Sequence, residues 1–301
     1  MTRSGRTLKY IVADVFTESP LQGNPLAVVM NTAGLATEEM QAIAREFNLS
    51  ETAFVERRAA ATELQEGVRV RIFTTEEELP FAGHPTLGTA SVLKRTAPET
   101  VREGVVTLAE NVGAIPVRFE AEDSLFAEMT QRDPEFAAEL DPGEVARLCG
   151  LRVQDLDVHH APQLVSTGNA FAIVLLQSVE ALGRLNVNQD EATPWLRARG
   201  GRWFYAMAPD GSGGARSWRA RMQFNRGEDP ATGSAAGCAI AWMVARGLAR
   251  GEERVHVRQG IEIHRPSDLF LTASVSENRK VTRVRVAGSS VIVAEGSVFL
   301  P

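Results

Sequence analysis

Val68, Val70 and Ile72 alternate with polar neighbours, the period of two that marks a strand with one buried face. Residues 9–15 and 26–30 also read as strands, with Gly23-Asn24-Pro25 turning between them. After Thr37 the period lengthens. Met40, Ile43, Ala44 and Phe47 fall on one helical face, Thr37 can cap that helix, and Glu38 and Glu39 suit its positive end. Asn48 suits a left-handed stop. Residues 51–55 then look extended, and a helix carrying Leu87, Ala90 and Leu93 follows Gly83-His84-Pro85.

The second half repeats this grammar. Residues 164–168 and 171–176 read as strands around Gly168-Asn169, and residues 219–224 as another. Gly23-Asn24 recurs as Gly168-Asn169, and Ala82-Gly83-His84 as Thr232-Gly233-Ser234, each triplet standing before a helix. Matched landmarks in matched context favour two similar halves. The second of these helices, residues 235–245 with Gly247 as its stop, is Ala, Gly, Cys, Ile, Trp and Met with no polar face through residue 243. Such a helix must be buried on every side, and it is too short to cross a membrane. The last segment, residues 291–299, is strand-like and needs a sheet to join.

Composition adds limits. A chain of 301 residues, 44% apolar and 23% charged, can form one large domain or two smaller ones around a packed core. A net charge of −6 and the lack of a Lys/Arg block argue against a nucleic-acid surface. Residues 1–6 precede no apolar signal region, and no window reaches a membrane span, so a cytoplasmic protein is the expectation. Two cysteines, Cys149 and Cys238, have no partners at metal-ligand spacing, and no metal is expected.

Candidate chemistry gathers at the two helix starts. Unpaired N–H groups and glycine together make an anion nest, at Gly83-His84 and at Gly233-Ser234. If the halves face one another, both nests meet in one cleft; otherwise the glycines make tight turns. Glu51 is flanked by apolar residues. A carboxylate in such a wall has its pKa raised, which suits a group that accepts and returns a proton. Taken alone, an exposed strand-end glutamate is the plainer description. His84 could bind a substrate or tune Glu51, or simply cap its helix. Asp229 could line the cleft or serve only its Asp-Pro turn. Residues 76–78, three glutamates, read as a solvated charge run. The Gly211-Ser212-Gly213-Gly214 run lacks the Lys-Ser/Thr of a phosphate loop, and His159-His160 lacks a third ligand at suitable spacing.

Five ordered blocks carry a resemblance. They are Asp14-Val15-Phe16-Thr17 with Gly23-Asn24-Pro25, Leu49 to Val55, Glu78 to Gly88, Glu228 to Ala235, and Gln259-Gly260 with Arg265-Pro266-Ser267. Together they resemble the signature of the PhzF, or phenazine biosynthesis-like, family. That resemblance implies an α+β fold of the diaminopimelate epimerase type: two similar lobes, each a mixed sheet rolled around a central helix. The lobes would be residues 1–125 with 290–301, the last strand returning to the first lobe, and residues 126–289, with the active site in the cleft between them.

The resemblance further implies a cofactor-independent isomerase, with Glu51 as general acid/base and His84 and Asp229 as its polar companions. Ser50, Gly83, Gly233 and Ser234 would bind a small carboxylate-bearing, amino-acid-like or cyclic substrate. It implies a homodimer as well. Related epimerases and proline racemases carry a cysteine before each helix-start glycine; Ala82 and Thr232 stand there instead, which rules out a two-thiol racemase. The late block usually has glycine where His264 stands, which predicts a local change of turn. A lyase or hydrolase on the same site, or a non-catalytic carboxylate binder, remains the alternative.

Overall fold

The computed structural model describes residues 5–211, 216–224 and 227–300; positions 212–214 of the glycine-serine run lie outside them. The chain divides into two compact units, residues 1–129 with 288–301 and residues 130–287. In the first unit the elements that carry the argument are strands β1 (Arg6–Val15), β2 (Asn24–Val29), β3 (Glu51–Glu56), β4 (Val68–Phe73), β5 (Val105–Glu110) and β6 (Gly113–Phe119). Helices α1 (Thr37–Phe47) and α2 (Gly83–Thr96) accompany them. The second unit has β7 (Gln163–Ser166), β8 (Ala170–Leu175), β9 (Trp203–Pro209), β10 (Ser217–Arg221), β11 (Val255–Gln259), β12 (Ser267–Val275) and helix α3 (Gly233–Ala245). The last strand, β13 (Ser290–Leu300), belongs to the first unit.

Pairing is duplicated strand for strand. In the first unit β1 and β2 are antiparallel, β2 and β3 parallel, β3 and β4 antiparallel, β4 and β5 parallel, and β5 and β6 antiparallel. From β7 to β12 the second unit repeats the same alternation. Each central helix lies on the crossover before the second parallel pair, α2 between β4 and β5, α3 between β10 and β11. A parallel pair cannot be closed by a hairpin, so the connection must cross the sheet, and the helix fills it. This is the expected α+β arrangement, a mixed sheet around one helix, made twice. β13 completes the first unit by pairing antiparallel with β1, from Arg6 opposite Leu300 to Val15 opposite Ser290.

Both central helices are enclosed. Every residue of α3 from Gly233 to Met243 is buried, as a helix without a polar face requires. α2 is buried from Gly83 to Leu93 although its sequence includes Thr86, Thr89 and Ser91. Thr86 and Ser91 hand their hydroxyl protons to backbone carbonyls four residues earlier, at 2.7 and 2.9 Å, so these two are satisfied inside the core, while the Thr89 hydroxyl is buried with no hydrogen-bond partner among the described residues. Gly88 permits close packing: a Cβ there would stand 2.7 Å from side-chain carbons of Leu26 and Val15.

Several local expectations change. Ala36, not Thr37, is the N-cap of α1; its N–H donates to Glu39 at 2.9 Å, while Thr37 accepts a bond from Arg71 at 3.0 Å. The strand expected over residues 219–224 ends at Arg221, and Gln223–Phe224 pairs with Gly227–Glu228 instead. Glu78 is no solvated charge: it pairs with Arg71 at 2.5 Å. Asn48 does end α1 in the left-handed conformation, at φ 52°.

Candidate active site

Parallel strands begin at the same edge of a sheet. Asn24 is the first residue of β2 and Glu51 the first of β3, with Leu26 opposite Glu51. The start of α2 arrives at this edge. His84 Nδ1 lies 3.1 Å from Asn24 Nδ2 and 3.5 Å from Glu51 Oε2. Glu51 is 7% exposed, His84 2% and Asn24 not at all, so the exposed-glutamate description fails.

The contact between Glu51 and His84 is not an ion pair. Burial drives the imidazole pKa down from 6.5 to about 3, leaving the ring neutral. An amide nitrogen can only donate, so the Nδ1 facing Asn24 is the acceptor and the ring proton sits on Nε2. That Nε2–H is buried and has no hydrogen-bond partner among the described residues. Gly83 and His84 are the first two residues of α2, and Ser50, half-buried, directly precedes Glu51.

The second unit builds its helix entry differently. Asp229 is 2% exposed and accepts a 2.7 Å bond from the Thr232 hydroxyl. Gln259, at the end of β11, accepts from the Thr232 N–H at 3.1 Å. It also donates to the Asp229 carbonyl and to Thr232 Oγ1, both at 2.9 Å. Thr232 is the N-cap of α3, and Gly233 and buried Ser234 open the helix. Gly260 follows at φ 76°, where a Cβ would lie 2.6 Å from the Pro230 carbonyl oxygen. His264, on the exposed side of its turn, adopts φ 59°, the left-handed conformation that glycine favours.

The structure thus brings Glu51, His84 and the start of α2 together in one unit, and Asp229 with the entry of α3 in the other. The duplication is unequal where chemistry is concerned. Leu26, two residues past Asn24, faces Glu51; Phe171, two past Asn169, faces Trp203. The register position of the carboxylate is taken by an indole in the second copy. Thiols do not take the caps either: Ala82 and Thr232 are the N-caps. Cys238 lies inside α3, where burial pushes its pKa up to about 11, and Cys149 is buried in the second unit's core with its pKa also pushed up.

Sequence reasoning passed over Asn24, Gln259 and Tyr205. The first two stood inside blocks that were recognised, and the recurrence of Asn24 as Asn169 was a usable signal. Tyr205 gave none. It is fully buried on β9, its hydroxyl has no hydrogen-bond partner among the described residues, and burial with the nearby Asp229 keeps it protonated.

Comparison with known proteins bears on family and fold. The family model described as phenazine biosynthesis-like protein matches residues 13–296. The trans-2,3-dihydro-3-hydroxyanthranilate isomerase of Pseudomonas aeruginosa is 36% identical, with 97% of this chain and 99% of the relative aligned. An uncharacterised isomerase of Mesorhizobium japonicum is 35% identical over 98% of this chain and all of its own length. The crystal structure of a PhzF-family phenazine biosynthesis protein from Bacillus anthracis superposes with a TM-score of 0.82 at 28% identity, covering 97% of this chain and 99% of that one. A whole-length family match, two isomerase relatives above 30% identity and a shared fold establish that this chain belongs to the phenazine biosynthesis-like (PhzF) family of isomerases.

Proposed function

We propose that the protein isomerises a small carboxylate-bearing, amino-acid-like or cyclic substrate by moving a proton, with Glu51 as general acid/base and no cofactor. The observation that carries this reading is the buried Glu51 beside a neutral His84 at the start of an enclosed helix. The Glu51 carboxylate takes a proton from an activated carbon, becomes the acid, and returns the proton to a second carbon, so substrate and product have equal mass. His84 contributes its Nε2–H as a donor to a substrate oxygen or nitrogen. N–H groups at Gly83, assisted by the helix dipole, favour a carboxylate. On this reading Asp229, Gly233 and Ser234 contact the same substrate, and Ser50 lies on its Glu51 side. The isomerase named for the Pseudomonas aeruginosa relative makes a cyclic amino acid a natural first substrate to try.

The test is turnover in deuterium oxide with product analysis by mass spectrometry. Deuterium should appear in a product that otherwise keeps the substrate's mass, and Glu51→Gln should lower kcat by ~10²–10⁴. A product of altered mass would favour a lyase or hydrolase. Ligand-induced thermal stabilisation that survives Glu51→Gln, with no product, would favour a binder.

A further inference from the structure

The strand that follows each central helix ends in a buried side chain reaching back to that helix's entry. In the second unit this is Gln259, a neutral amide bonded to Thr232 and Asp229. In the first unit it is Glu110, the last residue of β5, 5% exposed. Thr86 Oγ1 lies 2.6 Å from Glu110 Oε1 and 2.7 Å from the carbonyl oxygen of Ala82, the N-cap of α2.

A hydroxyl has one proton to give. A helical threonine commonly gives it to the carbonyl four residues earlier, and that carbonyl can only accept. The 2.6 Å contact with Oε1 is then a hydrogen bond only if Glu110 supplies the proton. Its surroundings argue the same way. Oε2 has no hydrogen-bond partner among the described residues. From β4 the charge that acts on it is Arg69, whose guanidinium is bonded to the Ala109 carbonyl at 3.1 Å and to Asn111 at 2.6 Å. On β6 its register partner is Gly113, and α2 presents the neutral Thr86. An ionised carboxylate with so few donors is expensive to bury. Burial accordingly pushes its pKa up to about 8.

We propose that Glu110 is held as the neutral acid near neutral pH and acts as a positioning residue. Its O–H donates to Thr86, Thr86 donates to Ala82, and this chain fixes the entry of α2 where Gly83 and His84 stand. It does in protonated form what Gln259 does as an amide.

The experiment is the melting temperature of the intact protein against pH, for wild type and Glu110→Gln. The folded-state pKa lies above the unfolded one, so the stabilisation is complete below the ordinary 4.5 and drains away as pH rises through about 8. Between about pH 5 and about pH 9 the wild type should lose on the order of 5–10 °C more than the variant. Parallel curves would overturn the proposal. Should the variant not fold, carbon-13 NMR of glutamate carboxyls in the wild type decides: one must titrate near pH 8, and its absence overturns the idea equally. Any effect on turnover rests on the proposed function. Diverging melting curves with no alkaline loss of activity would support the neutral acid and count against the catalytic reading instead.

Discussion

At the residue scale, the first unit contains two buried groups whose ionisation is opposed by the same desolvation but whose effects on stability have opposite sign. His84 has a folded pKa near 3 against an ordinary 6.5, so its contribution is present above 6.5 and is lost as pH falls toward 3, by about 4–5 kcal/mol in full. Glu110 adds stability as pH falls over part of the same range, from about 8 to 4.5. Between about 4.5 and 6.5 the two oppose each other, and the wild type should show a flat stability profile. Urea unfolding of His84→Gln should show stability rising as pH falls from about 6.5 to about 4.5, where the wild type is flat. A variant as flat as the wild type over that window would show that the imidazole is not buried neutral. Neither group could be recognised by residue type. His84 was legible as a helix-start residue, but its tautomer depends on Asn24, sixty positions away.

At the element scale, α3 depends on small residues because other groups must lie against it. A Cβ on Gly237 would stand 1.9 Å from Gln131 Oε1. That amide donates to the Gly233 carbonyl at 2.9 Å and accepts from Thr167 at 2.6 Å, so it anchors the helix's first turn. Gly237→Ala should therefore cost about 1–3 kcal/mol, the cost of leaving buried polar groups unpaired. Denaturant melts in a double-mutant cycle check the cause: the cost should shrink when Gln131 is already alanine. An undiminished cost would trace it to some other contact. The burial of α3 was legible because residues 235–243 leave it no polar face. That of α2 was not, since three hydroxyl residues gave it an apparent outer face until the backbone carbonyls that satisfy two of them were in place.

At the scale of the whole molecule, the chain's last strand completes its first unit. β13 pairs with β1 along that strand's whole length, so the first unit cannot finish folding before the final residues are available. Deleting residues 290–301 should leave β1 an open edge and lower the stability of the first unit by several kcal/mol. The second unit, with its own core around Leu148, Leu176 and Phe204, should keep its protection. Hydrogen exchange followed by peptide mass spectrometry reads both: protection should fall within residues 5–129 and persist within 130–287. Uniform loss across the chain would mean that the two units unfold as one.

The α+β class came with the family resemblance, while local pattern and recurrence were enough to determine the duplicated halves, the two glycine helix starts and the enclosed α3. Each depends on periodicity or on a motif within a few residues, and such information is present before the chain folds. The family signature added roles for the candidates Glu51, His84 and Asp229, but a strand-end glutamate has the same local pattern whether buried or exposed. Only the tertiary structure decided that Glu51 is enclosed beside a neutral imidazole and that an indole takes its register position in the second copy. It alone brought Glu110 under the entry of α2. Burial and proton placement are set by neighbours distant in sequence, and a pattern read along one dimension does not contain them.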